Sequence, residues 1–310
     1  MKNILRLLSV LTLAVTSSAA EVYVSAWAAN APGGSPPHLN GGQLRASIAG
    51  KPVTVTGVRE PGDPLILLLV MDTVGDLSRV DAARRVLTDR IRSMRPEWRV
   101  ALLRAQGGLS VIEDPTNNAA ALADKLNSLP VSGVPGLLDS VPRAASLAHS
   151  MLTGARLRVA VLFVTDGSIR DYRGEITAAV VNPSDRGDLS RRFNDRIIQE
   201  RNASILRSLG EYTAPLFFVH LEERDQTQDI AYQNGIRQFA AASGGSAYFV
   251  RNLAEVSTTV ERALDMIDSH YSIELAAPAG VRGSVEVRLE SEGGLRLNYR
   301  ATATVVEEGG

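Results

Sequence analysis

Two apolar runs constrain this chain more than anything else in it: Leu65-Ile66-Leu67-Leu68-Leu69-Val70-Met71-Asp72 and Val159-Ala160-Val161-Leu162-Phe163-Val164-Thr165-Asp166. Both are rich in Val, Ile and Leu and show no polar alternation. That is the pattern of strands covered on both faces, and so of a parallel sheet sandwiched by helices. Each run stops on a carboxylate, which puts Asp72 and Asp166 on the rim of such a sheet.

A chain of 310 residues, 45% hydrophobic and 22% charged, can bury one large core with a smaller unit beside it. Residues 1–20 place Lys2 and Arg6 ahead of an apolar stretch of about ten residues and finish Ser18-Ala19-Ala20, the form of a Sec-type signal peptide cleaved near Ala20. A spanning helix needs about 18 to 20 apolar residues, more than this stretch has. Cleavage removes Lys2 and Arg6, so the 33 basic residues become 31 against 34 acidic, a net charge of −3 that argues against nucleic acid as a partner. The absence of cysteine removes disulfides, a lipid-acceptor thiol and thiolate chemistry. With no second long apolar run, the mature chain is expected to have no membrane span and to be periplasmic or secreted.

Four parts follow in order: a signal peptide (1–20), a β segment (21–61), an α/β domain (62–269) and a second β segment (270–307). Residues 21–27 and 51–58 read as strands separated by the connector Ala31-Pro32-Gly33-Gly34-Ser35-Pro36-Pro37. The turn cluster Glu60-Pro61-Gly62-Asp63-Pro64 then marks a boundary. Beyond it, strand patterns at 64–71, 98–104, 109–113, 159–165, 214–221 and 246–250 alternate with helical patterns at 79–94, 119–128, 137–152, 189–209, 229–242 and 254–269. Only Ala105 to Gly108 separates the second strand from the third, too short for a crossover helix, so that pair must be an antiparallel hairpin. Alternating patterns at 271–275, 284–290 and 295–306 return the chain to β structure. Neither end alone has enough strands to be stable, so both termini are expected to build one small β subdomain.

The expected fold is therefore a doubly wound, mostly parallel six-stranded sheet of order 3-2-1-4-5-6 with one antiparallel edge strand, plus that β subdomain. In this order the first and fourth strands are neighbours at the switch point, where ligands bind beyond the carboxyl ends. Asp72 and Asp166 end those two strands, so they are expected to reach one cation or share one hydrogen-bond network.

These residues resemble the von Willebrand factor A domain over about 64–269. The resemblance implies a metal-ion-dependent adhesion site with Asp-x-Ser-x-Ser after strand one, a Thr in a middle loop and an Asp after strand four. The first Asp falls on Asp72 and the last on Asp166, within Phe163-Val164-Thr165-Asp166-Gly167. In Asp72-Thr73-Val74-Gly75-Asp76 the two Ser positions hold Val74 and Asp76, and the middle-loop Thr falls on Pro135 in Gly133-Val134-Pro135-Gly136. Val and Pro offer no side-chain oxygen. Asp72, Asp76 and Asp166 remain as candidate ligands for Mg²⁺, Mn²⁺ or Ca²⁺, with Thr73 and Ser168 as nearby oxygens. The bland alternative makes the aspartates hydrogen-bonding relics, with Asp76 an N-cap, and it stands ahead of a live metal site. As a whole the chain is similar to exported von Willebrand A-related proteins of acidobacterial type. The segment from His38 to Pro52, Tyr271-Ser272-Ile273-Glu274-Leu275 and the closing pattern from Gly293 to Val305 carry that similarity. It implies a binding or scaffolding module.

Other chemistry finds little support. No Gly-x-Ser-x-Gly elbow occurs. His38, His149, His220 and His270 have no metal-ligand spacing, and His220, inside an apolar strand end, reads as structural. A phosphotransferase built on Asp72 lacks its second acid and a nearby Lys. Asn202-Ala203-Ser204 matches a glycosylation sequon but falls inside a helical pattern. The long connection 170–195, carrying Arg170 and Arg173, leaves strand four at the ligand face and is either a solvated loop or a partner-binding one. The expectation is an exported, non-enzymatic protein-binding or envelope scaffold module. Its ligand face is the rim at Asp72, Thr73, Asp76, Pro135, Asp166, Ser168, Arg170 and Arg173. Metal-dependent adhesion through Asp72, Asp76 and Asp166 is the alternative, and a hydrolase or phosphotransferase on the carboxylate pair comes behind both.

Overall fold

The computed structural model describes residues 20–29, 36–169, 195–225, 227–292 and 294–306. The expected signal peptide before Ala20, and Arg170 and Arg173 with the connection they belong to, lie outside the described residues. Four strands come first: β1 (Glu21–Ala28), β2 (Leu44–Ile48), β3 (Lys51–Val53) and β4 (Val55–Arg59). The α/β body then runs β5 (Leu65–Asp72), α1 (Leu77–Arg92), β6 (Trp98–Arg104), β7 (Ser110–Thr116), α2 (Ala119–Ser128), α3 (Leu137–Ala155) and β8 (Arg158–Thr165). It continues through α4 (Asp195–Leu209), β9 (Leu216–His220), α5 (Thr227–Ser243), β10 (Ala247–Phe249) and α6 (Val256–Asp268). β11 (Tyr271–Ala276), β12 (Ser284–Ser291), β13 (Leu297–Tyr299) and β14 (Thr302–Val306) close the chain. Among the described residues no helix is long and apolar enough to cross a membrane.

The body's sheet has the order β10-β9-β8-β5-β6-β7, parallel throughout except for β7, which returns antiparallel to β6. Both faces of its central strands are buried, and their side chains divide with period two. Ile66, Leu68 and Val70 of β5, with Val159, Val161 and Phe163 of β8, join the core under α3, α4 and α5. Leu65, Leu67, Leu69 and Met71, with Ala160, Leu162 and Val164, join the core under α1, α2 and α6. At about 1.5–3 kcal/mol for each fully buried Leu, Val or Phe, this double burial is why polar alternation is missing from both runs.

The terminal strands form a second, antiparallel sheet of order β3-β2-β12-β14-β1-β11-β4, with β13 also paired to β1. Its eight strands make it larger than the small subdomain expected. The expected strand over 51–58 is two strands, β3 and β4, divided at Thr54, and 295–306 likewise divides into β13 and β14. β3 and β4 stand at opposite ends of the strand order yet only Thr54 separates them in sequence, so the sheet curls until its two edges meet.

The two sheets share their interior. β1 puts Val22, Val24 and Ala26 into the core of its own sheet and sends Tyr23 and Trp27 into the two cores of the α/β body. The Trp27 indole N–H donates to the Met266 carbonyl at 2.8 Å. Arg158, fully buried at the start of β8, donates to the carbonyls of Asp63 (2.8 Å), Asp268 (2.8 Å) and His270 (3.1 Å). Its guanidinium thus ties the segment entering the body to the segment leaving it.

Candidate functional site

The register that pairs Asp72 with Thr165 sets Asp166 immediately beyond the end of β5. The Asp166 amide reaches the Asp72 carbonyl at 3.4 Å, so the two strand ends are joined by main chain before either side chain acts. Asp166 is 4% exposed. Its Oδ1 accepts the Val74 amide at 2.8 Å, and its Oδ2 accepts the amides of Gly75 (2.8 Å) and Asp76 (3.0 Å). The β5–α1 loop therefore wraps its three successive N–H groups around one carboxylate. Burial pushes the Asp166 pKa above the ordinary carboxylate value, and the amides pull the other way.

Asp72 is fully buried. Its Oδ1 accepts the Gly136 amide at 3.0 Å and its Oδ2 accepts the Thr165 hydroxyl at 2.9 Å, while Thr165 Oγ1 itself accepts the Gly167 amide at 3.1 Å. Gly136 reaches Asp72 because it has no side chain: a Cβ there would stand 1.9 Å from the Ala105 carbonyl oxygen. The loop before α3 can approach the end of β6 only with glycine at this position.

The other expected site residues are placed as follows. Asp76 is the N-cap of α1, accepting the amides of Ser78 (2.9 Å) and Arg79 (3.3 Å), and it faces the Arg79 guanidinium at 3.2 Å. Its carboxylate is thus committed to the helix start. Thr73 is buried and its carbonyl accepts the Gln106 side-chain amide. Pro135 and Ser168 are buried at the same end of the sheet. Asp229, buried in the first turn of α5, accepts the Ile169 amide at 2.8 Å. His220 Nε2 lies 2.8 Å from the Gly167 carbonyl and its Nδ1 accepts the Glu222 amide at 3.3 Å. Those partners call for a neutral ring with its proton on Nε2, and burial lowers the His220 pKa to about 4. Asn202 of the sequon is also buried, its side chain donating to the Ala231 carbonyl at 3.1 Å.

All four oxygens of Asp72 and Asp166 accept N–H or O–H donors. Asp76 serves the helix, and Val74 and Pro135 carry no side-chain oxygen. No group of three or more acidic or histidine side chains converges among the described residues.

Sequence reasoning missed Gly136, Gln106 and the Arg79 contacts. Gly136 carried a readable signal, a glycine directly ahead of an apolar helix. It also missed an apolar collar. Five large hydrophobic residues are exposed among the described ones, and four sit at the carboxyl end of the sheet: Leu77 (60%), Val134 (43%), Ile230 (45%) and Leu253 (50%). Leu77 opens α1 after β5, and the Val134 carbonyl accepts the Gly107 amide of the β6–β7 turn at 3.2 Å. Ile230 lies in the first turn of α5 after β9, and Leu253 follows β10.

The topology settles the fold: the first and fourth strands are central neighbours, the first ends in Asp72 and the fourth is followed at once by Asp166, and one antiparallel strand closes an edge of the sheet. It is von Willebrand A-like. No protein-family model and no curated protein matches the chain. Among solved structures it is similar to a von Willebrand factor type A protein from Catenulispora acidiphila at 11% identity, over 95% of this chain and 74% of that one, with a TM-score of 0.44. It is similar to an aerotolerance-related membrane protein from Bacteroides fragilis at 11% identity, over 66% and 98% of the two chains, with a TM-score of 0.40. A third is the vWF domain of the type V pili tip protein Mfa5 from Porphyromonas gingivalis, at 11% identity over 66% and 95%, with a TM-score of 0.42.

Proposed function

We propose that this chain is an exported, non-enzymatic module that binds a protein partner through the carboxyl-end rim of its A-like body, without a coordinated metal. The apolar collar of Leu77, Val134, Ile230 and Leu253 carries this reading. These four exposed apolar side chains all belong to segments at the carboxyl end of the sheet, where a partner could cover them. The carboxylates support the metal-free part: every oxygen of Asp72 and Asp166 already accepts a hydrogen bond, and Val74 and Pro135 bring no side-chain oxygen to complete a ligand set. Export rests on the Lys2, Arg6 and Ser18-Ala19-Ala20 pattern. The test is crosslinking of the mature chain to envelope proteins, comparing the parent with a Leu77→Asp, Leu253→Asp double variant, each with EDTA and with Mg²⁺. Adducts formed by the parent in EDTA and lost in the double variant support rim recognition. Adducts that require Mg²⁺ support adhesion through Asp72, Asp76 and Asp166 instead, and adducts indifferent to the double variant overturn the rim reading.

A further inference from the structure

Beyond the rim, the body's sheet ends on one side at β10. Among the described residues β10 is the last strand on its side and pairs only with β9, in parallel. The Ser246 carbonyl accepts the Phe218 amide at 2.9 Å and the Val250 amide donates to the His220 carbonyl at 2.9 Å. In a parallel ladder the main chain of alternate residues faces the partner strand, so the N–H and C=O groups of Ala247 and Phe249 point outward along the free edge. Beside that edge lies a cleft of about 440 Å³, walled by β10 on one side and by Thr258, Thr259 and Arg262 of α6 on the other. A strand edge facing a helix across a groove is the geometry that accepts an extended peptide as an added strand.

The charges in the groove select the peptide. Its two acids are occupied: Glu223 pairs with Arg237 at 3.1 Å and with Arg251 at 3.3 Å. Glu255 accepts the Asn252 side-chain amide at 2.8 Å and the Arg251 main-chain amide at 3.2 Å. Arg262, exposed on α6, has no acidic partner among the described residues, and Arg251 is also exposed. Of the two arginines and two glutamates that line the groove, Arg262 is the cation left with no acidic partner among the described residues, and it stands across from the outward-facing main chain of β10. We propose that an extended acidic peptide segment of a partner protein adds to β10 as a seventh strand, its main chain pairing with Ala247 and Phe249 and an acidic side chain meeting Arg262. This surface runs along the β10 edge and adjoins the rim at Leu253, which lies between Arg251 and Glu255 in the chain.

The test is fluorescence anisotropy of the mature chain with a labelled peptide of alternating valine and glutamate, about eight residues long, beside the same peptide with lysine for glutamate. The glutamate peptide is expected to bind and the lysine peptide to bind at least tenfold more weakly. Ala247→Pro removes an outward-facing N–H and leaves the β9 ladder intact, since proline is tolerated where an edge N–H faces solvent. Arg262→Glu reverses an exposed charge. Each is expected to weaken the glutamate peptide tenfold or more, and the Ala247 and Phe249 amides should gain hydrogen-exchange protection when the peptide is added to the parent, a readout independent of either variant's stability. Equal binding of the two peptides, or no added protection at those amides, overturns the proposal. Self-association of the parent that Ala247→Pro abolishes also overturns it, in favour of edge pairing between two copies.

Discussion

Replacing Asp166 with alanine separates a carboxylate that holds the loop from one that holds a metal. The side chain accepts three amides at 2.8, 2.8 and 3.0 Å. Hydrogen bonds to a charged group contribute about 1.5–3 kcal/mol each. Gly75 and Asp76 are exposed, so their amides regain water once the carboxylate is gone, while Val74 is half-buried and regains less. Losing a buried acid also relieves the desolvation that raises its pKa. The net cost of Asp166→Ala is then about 2–4 kcal/mol, or a melting temperature lowered by about 5–12 °C for a body of this size. Asp166→Asn, which keeps one acceptor oxygen but sets an NH₂ group against the loop amides, should fall between parent and alanine. Asp76→Ala, which removes a helix cap and the contact with the Arg79 guanidinium, should cost about 1 kcal/mol. The assay is urea unfolding and thermal melting of parent and variants in EDTA and again in millimolar Mg²⁺. The full loss is expected in EDTA, with no change on adding Mg²⁺. An Asp166→Ala variant as stable as the parent in EDTA, with a gap opening only in Mg²⁺, would refute the amide-clasp account and restore the carboxylate as a metal ligand.

Arg158→Met should lower stability by about 3–5 kcal/mol, because the carbonyls of Asp63, Asp268 and His270 lose a shared donor inside the protein; a urea midpoint within about 1 kcal/mol of the parent contradicts the clamp role. Acid should also destabilise the fold. Burial lowers the pKa of His220 to about 4 and of His270 to about 3, so the unfolded chain takes up protons first as the pH falls below the ordinary histidine value of about 6.5. The stability present above pH 6.5 is lost progressively toward pH 4, by several kcal/mol, since each tenfold difference in proton affinity between the folded and unfolded chain is worth about 1.4 kcal/mol. Asp166 and Glu274, raised by burial, oppose this only in the carboxylate range. Melting temperatures from pH 7.5 to 4.5 should drop for the parent and drop less for His270→Phe; a flat profile between pH 6.5 and 5 contradicts the buried-histidine account.

Much of the body was legible because its signals are local. A strand covered on both faces cannot alternate, so the runs ending at Asp72 and Asp166 stand out from residue type alone. The short link after Arg104 forced an antiparallel return of β7. The terminal sheet was harder to read. β3 and β4 look like one strand until Thr54 is seen to turn a corner between two neighbours, β2 on one side and β11 on the other. Nothing local marks that corner, since β4 makes its pairing with a strand far away in sequence.

The sequence by itself determined that two buried strands end on carboxylates, that hydroxyl ligands expected of an adhesion site are replaced by Val74 and Pro135, and that Asp76 stands at a helix start. The first and the last follow from residue type and period, and the second from the resemblance to the von Willebrand A domain. Tertiary structure decided what the carboxylates do. Asp166 meets the amides of a loop some ninety residues earlier in the chain, and Asp72 meets Gly136 only because that glycine packs against Ala105. The apolar collar and the free edge of β10 are likewise products of assembly, because a side chain is exposed, or a strand unpaired, only with respect to everything packed around it.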